Sequence, residues 1–219
     1  MMIDLKYIWV LVSINRYILN TIQNEKTRNT LKTRCISKLR TQNQEFFEFS
    51  DQSVLSNLYY GIDNIETAIQ SQNPEQRSFN LKKSEEMLQV PAMLDEDEFT
   101  ASIPNHYLVC CSYFYLSVVR KLQGDEWQAA LHFLQAVLVS PKLVWNEFAP
   151  HLCESLFKKH ENRSLEFVAS LNAEEEINEA IVKEKARRYK ECLVYYQVML
   201  YGEIPWWSSY CSNNSANYM

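Results

Sequence analysis

The apolar positions of this chain fall three or four residues apart over long stretches, the spacing that puts them on one side of an α-helix. Val54, Leu55, Leu58, Ile62, Ile65 and Ile69 form one such stripe, and Ser50 or Asp51 can cap the helix that carries it as far as Gln70. Asn73-Pro74 closes that element, because proline disfavours helical geometry in the residue before it. A second stripe runs from Phe79 to Val90 and stops ahead of Pro91, after which the acidic run Leu94–Glu98 and Ser102-Ile103-Pro104 read as a surface loop and turn. Asn105 can cap the next stripe, which ends where Gly124 occupies the left-handed position that closes many helices. Asp125 caps a helix through Trp127, Leu131, Leu134 and Leu138, and Ser140-Pro141 opens another in the favoured cap-then-proline order. Asn172, with Glu175 three residues on, has the form of a capping box for a long helix ending at Gly202, with Pro205 beyond. The N-terminal stretch reads as an amphipathic or buried helix. No segment shows a strand period, and this punctuation predicts about nine helices joined by short links.

Composition agrees with the pattern. Of 219 residues only 3 are glycine, too few for the tight turns of β-sheets or for phosphate-cradling loops. Hydrophobic residues make up 47% and charged residues 22%, enough apolar surface for a proper core. The expected fold is all-α, with helical hairpins stacked as in armadillo or tetratricopeptide solenoids. The chain divides on this reading into partly basic N-terminal helices (1–45), a helical-hairpin domain (46–205) and a flexible tail (206–219). Gly124 to Pro141 resembles the second helix of a tetratricopeptide repeat, with Ala129, Phe133, Ala136 and Pro141 at the right intervals. Tyr113, Leu116 and Ser117 fit its first helix, whereas Arg120 stands where tyrosine is usual, and Tyr189, Cys192, Tyr196 and Pro205 give a weaker echo.

Charge sharpens the picture at one point. The net charge is −5, which gives no general attraction to nucleic acid or anionic membrane. Residues 1–49 nevertheless hold 8 Lys/Arg against 4 Asp/Glu, concentrated in Lys26, Arg28, Lys32, Arg34, Lys38 and Arg40. Without interleaved aromatic platforms these read as a solvated helix face rather than a nucleic-acid stripe. The apolar run Tyr7–Val12 is short and is interrupted by Asn15-Arg16, so neither a signal segment nor stable membrane insertion is expected.

The candidate chemistry lies in NHYLVCCSYFYLSVVRKL, residues 105–122. His106 and Cys110 are four apart, as two metal ligands on a helix can be, but no second two-ligand motif completes a site. Tyr107, Cys110, Cys111, Phe114, Val118 and Leu122 instead follow one apolar face, and cysteine packs there as a small hydrophobe. His151 and Cys153 are two apart and point to different faces, and the chain lacks the phosphate-loop, dinucleotide, nucleophile-elbow and zinc-protease signatures. No catalytic residue, cofactor or metal is expected. The six cysteines show no disulfide-framework spacing, which favours an intracellular setting, cytoplasmic or nuclear. Candidate partner contacts are the aromatic positions Trp145, Trp206, Trp207 and Tyr210.

Two blocks carry a family resemblance: FEFSDQSVLSNLYYGIDNIETAIQ (Phe47–Gln70) and the run from Glu85 to Val144 continuing through EFAPHLCESLF. They resemble the N-terminal helical region of plant LIN/Cerberus-type E3 ubiquitin ligases, across roughly residues 25–205. The resemblance implies a non-catalytic interaction scaffold, binding substrate proteins or itself, in ubiquitination and, in legumes, symbiotic signalling. In that family a U-box and WD40 repeats follow the helical region, and the 219 residues show neither, so no ligase site carries over. A free-standing helical adaptor is the alternative. A helical-bundle enzyme using His106 or His151, or a membrane-surface protein using the N-terminal helices, are the other classes.

Overall fold

The computed structural model describes residues 5–39, 49–157, 181–183, 187 and 190–198. Eight α-helices are delimited in chain order: α1 (Leu5–Gln23), α2 (Glu25–Leu39), α3 (Phe49–Gln70), α4 (Pro74–Ala92), α5 (Asn105–Gln123), α6 (Glu126–Val139), α7 (Pro141–Leu143) and α8 (Pro150–Phe157). A π-helical turn, Val144–Phe148, lies between α7 and α8, and residues 190–198 are helical. The expected all-α fold of helical hairpins is what the chain adopts.

Two hairpins, α3–α4 and α5–α6, form the frame, and α4 packs on α5 to join them. Each is made by its punctuation. Asn73 caps α4, its Oδ1 accepting from the backbone N–H of Glu75 (2.8 Å) and Gln76 (3.3 Å), while Pro74 takes the first helical position, where a missing N–H costs nothing. Gly124 closes α5 at φ 87, and Asp125 Oδ1 accepts from Gln128 N–H at 3.0 Å to start α6. The first hairpin depends on a small residue. A Cβ at Gly61 would stand 2.8 Å from Leu88 Cγ and Cδ2, and Ser84 Oγ donates to the Gly61 carbonyl at 2.7 Å. Close approach of α3 and α4 therefore requires glycine at that crossing.

α1 closes the core from the other side, against α5, α6 and α8. Its Val10, Ile14 and Ile18 join the cluster that holds Phe114, Phe133 and Phe148. Buried Asn15 holds the packing in register, its Nδ2 donating to Leu11 O (3.0 Å) and Glu126 O (2.9 Å).

Several sequence expectations give way here. The α4 helix begins at Pro74 rather than Phe79 and runs through Pro91 to Ala92, whereas the sequence reading stops it ahead of that proline. Neither Ser50 nor Asp51 lies ahead of α3, which already includes both. The Asp51 carboxylate instead accepts from Ala101 N–H at 2.8 Å, tying α3 to a segment fifty residues away. That segment is not a loop: β1 (Phe99–Thr100) and β2 (Ile103–Pro104) form an antiparallel hairpin, whose turn residues Ala101 and Ser102 have φ of 51° and 65°. Asn105 is not the cap of α5 but its first residue, and its side chain works backwards. Its Nδ2 donates to Asp95 O (2.8 Å) and its Oδ1 accepts from Thr100 Oγ1 (2.7 Å), so it knits the hairpin together. Of the long helix expected from Asn172 to Gly202, the start and end lie outside the described residues.

Candidate functional site

Thirteen of the nineteen residues of α5 are buried, among them every residue from Tyr107 to Ser112. Cys111 Sγ lies 3.5 Å from Cys35 Sγ of α2, and Cys110 Sγ donates to Ala136 O of α6 at 3.4 Å. Burial pushes both Cys110 and Cys111 thiols well above the ordinary range, so neither supplies the thiolate that nucleophilic or metal chemistry needs. His106 points to solvent, away from both. The adjacent cysteines fill the core. Tyr107 closes this end, its hydroxyl donating to Arg34 O (3.3 Å) while Lys38 Nζ sits 4.5 Å above its ring.

The other histidines divide similarly. His151 is exposed and Cys153 buried, so α8 turns them apart as their spacing predicts. His132 is half-buried, stacked on Tyr113 with ring centroids 5.9 Å apart. Its Nδ1 lies 2.8 Å from Gln135 Oε1, and Gln135 Nε2 donates to Tyr196 OH at 3.1 Å. Burial lowers the pKa of His132, which keeps the ring neutral as a packing element. Among the described residues no three His, Cys, Asp or Glu side chains come together as a metal-ligating group.

Of the basic residues of α2, Lys26, Arg34 and Lys38 are exposed, as the sequence reading has them, whereas Arg28 and Lys32 are half-buried against α3; Arg40 lies outside the described residues. Arg28 Nε lies 3.2 Å from Glu66 Oε2, with the two side chains only 11% and 15% exposed, and Lys32 Nζ lies 2.7 Å from Asp63 Oδ1. Arg34 donates to Glu147 O (2.8 Å) and Lys38 pairs with the Glu147 carboxylate (3.3 Å). Acidic partners on α3 and on the π-helical turn thus pair with Arg28, Lys32 and Lys38 and help to seat α2.

Of the candidate partner contacts, Trp145 is half-buried and packs against the core, while Trp206, Trp207 and Tyr210 lie outside the described residues. The surface that sequence reasoning missed is on α1. Its inner face (Val10, Ile14, Ile18) is buried, yet Ile8, Trp9, Val12 and Leu19 are 40 to 47% exposed on the outer face. At 100° per residue, Ile8, Val12 and Leu19 fall within a narrow sector and Trp9 beside it. The signal was present in the sequence: a helix that serves one core needs one apolar stripe, and α1 carries two. Such a face, held rigid by its buried opposite side, can receive an apolar ridge or peptide. No described helix is long and apolar enough to cross a membrane.

The comparisons with known proteins bear on the whole of this unit. Residues 8–200 match the family model described as E3 ubiquitin-protein ligase LIN-like, ARM repeat, from the α1 outer face through the helix at 190–198. The chain is 35% identical over 153 residues to the Medicago truncatula protein named "Putative E3 ubiquitin-protein ligase LIN", covering 68% of this chain and 10% of that one. It is 33% identical over the same length to LIN-1 and to LIN-2 of Lotus japonicus, again with 68% and 10% covered. The chain thus corresponds to about a tenth of the length of these relatives. No solved structure matches. The hairpin architecture and the extent of the match place this chain in the LIN-like E3 ubiquitin-protein ligase family, as its armadillo-repeat region.

Proposed function

We propose that this chain is a non-catalytic protein-interaction scaffold serving ubiquitination, and that the outer face of α1 is where a protein partner docks. The observation that carries this reading is the exposure of Ile8, Trp9, Val12 and Leu19 on a helix whose opposite face is locked into the core. A buried-side anchor lowers the entropy cost of presenting those side chains, as preorganised binding surfaces require. The relatives' names as E3 ubiquitin-protein ligases support the role in ubiquitination, and symbiotic signalling is the setting we propose for it. Trp145, Trp206, Trp207 and Tyr210 remain the aromatic residues we assign to partner contact, since tryptophan and tyrosine dominate interface energetics. The cysteine spacing supports an intracellular location, cytoplasmic or nuclear.

The test is comparative. Wild-type chain and an Ile8→Ser/Val12→Ser/Leu19→Ser variant are immobilised side by side, and the proteins each retains from plant extract are quantified. The reading expects a defined set retained by the wild type and lost from the variant. An identical set on both would remove the α1 face from consideration.

A further inference from the structure

We infer that Cys35 and Cys111 form a redox clamp: a peroxide joins them in a disulfide that ties α2 to α5, and a thiol reductant releases it. Both are free cysteines, both are wholly buried, and their sulfurs lie 3.5 Å apart where the two helices meet. A disulfide brings its sulfurs to about 2.05 Å, so the pair has only to close by roughly 1.5 Å. The backbone around Cys35 is already tethered to α5. The hydroxyl of Tyr107, one turn ahead of Cys111, donates to Arg34 O at 3.3 Å and lies 3.5 Å from Cys35 O. The pairing is also selective. Cys110 adjoins Cys111 in sequence, but successive helical residues point about 100° apart, and its Sγ is turned to Ala136 O of α6.

α2 is the helix on which such a clamp matters. Leu31 and Cys35 are the only buried residues among its 15, against thirteen in α5. Much of its remaining hold is polar, through Arg28 on Glu66, Lys32 on Asp63 and Lys38 on Glu147. An element with so little apolar cover opens locally more readily than the core, and that opening admits a small oxidant to Cys35. Hydrogen peroxide alone balances the chemistry. The Cys35 thiolate attacks one peroxide oxygen and the O–O bond breaks, leaving a sulfenic acid and hydroxide, which takes up the thiol proton as water. On reclosure the Cys111 sulfur attacks the sulfenic sulfur and the S–O bond breaks. Burial keeps Cys111 protonated until that step, when the departing hydroxide takes its proton as a second water. Two thiols have lost two electrons to one disulfide, and one peroxide has become two waters. The new bond joins positions 76 apart in sequence and removes the open states of α2. The clamp does not depend on the docking role proposed for α1.

The experiment uses the full chain, reduced, freed of reductant and exposed to hydrogen peroxide under native conditions. Remaining thiols are blocked with N-ethylmaleimide in denaturant, and tryptic peptides are weighed without reduction. The inference expects the peptide Cys35–Lys38 linked to Ser84–Arg120 within monomeric chain, two hydrogens lighter than the pair together, and freed by dithiothreitol. The link should persist in Cys110→Ser and vanish in Cys111→Ser and in Cys35→Ser. Hydrogen exchange on the same samples gives the second readout. Backbone amides of α2 should exchange at least about tenfold more slowly in the oxidised wild type, with no slowing in peroxide-treated Cys35→Ser. The wild-type measurements decide the matter even if a variant fails to fold. No link between Cys35 and Cys111, a link from Cys111 to another cysteine, a link only between two copies, or a link that leaves α2 exchange unchanged overturns the inference.

Discussion

α1 and α5 are both 19 residues long and both rich in apolar side chains, yet they do different work. α5 is enclosed by α2, α4 and α6, and even its polar Ser112 and Ser117 are satisfied inside the protein by carbonyls of their own helix. Among the described residues α1 has neighbours on one side only, and its outer stripe of Ile8, Trp9, Val12 and Leu19 is exposed. Apolar content alone cannot tell a core helix from a helix that leaves a second apolar face exposed. What separates them is how much of each helix's circumference its neighbours cover, a tertiary property.

The sharpest way to break this comparison is to remove packing from α5. Phe114 is 1% exposed and contacts the rings of Phe133, Tyr115 and Phe148, so Phe114→Ala should cost about 3–5 kcal/mol in urea unfolding. A loss no greater than that of a surface substitution would mean that α5 is not the centre of the core. Next in size is the α3–α4 crossing. Gly61→Val places branched carbon where Leu88 already stands, and overpacking should cost about 1–3 kcal/mol on the same measurement. On α1 the expected result is small: Ile8→Ser and Val12→Ser should each shift stability by about 1 kcal/mol or less, since each side chain is over 40% exposed.

The smallest expected effect concerns pH. The pKa of His132 is lowered below its ordinary 6.5 by burial, so between that value and the folded pKa the unfolded chain binds the extra proton. Stability is then fully present above 6.5 and declines as pH falls through it. His132→Phe, which can keep the stack on Tyr113, should flatten the dependence of the urea midpoint between about pH 7.5 and about pH 5.5. An unchanged slope would assign the pH response to other groups.

Local signals were legible where a single residue decides the backbone. Gly124, Asp125, Asn73 and Pro74 mark helix ends in the sequence and mark them in the fold. The misreadings fall where a distant partner outbids the local one. Asn105 and Asp51 both have the chemistry of helix caps, but the 99–104 hairpin recruits both side chains. The hairpin itself lacks the Asn-Gly or Asp-Gly signal of its turn class, because Ala101 and Ser102 are held at positive φ with Ala101 N–H bonded to Asp51. Pro91 reads in the sequence as a stop, yet it lies within the last turn of α4, where the helix carries on one residue further. For the candidate site, the core role of Cys110 and Cys111 followed from helical spacing, while the α1 face went unread because a second apolar stripe looks like burial until the neighbours are known. The family was legible in long blocks, Phe47–Gln70 and Glu85–Val144, which fall within the matched region.

The central claim is that α1 keeps the fold with one face and meets a partner with the other. Its most direct test measures both properties on one variant, Ile8→Ser/Val12→Ser/Leu19→Ser: urea unfolding beside quantitative retention of plant proteins. The account predicts a folded chain with cooperative unfolding and loss of the proteins that the wild type retains. A folded variant that retains the same proteins in the same amounts would contradict it.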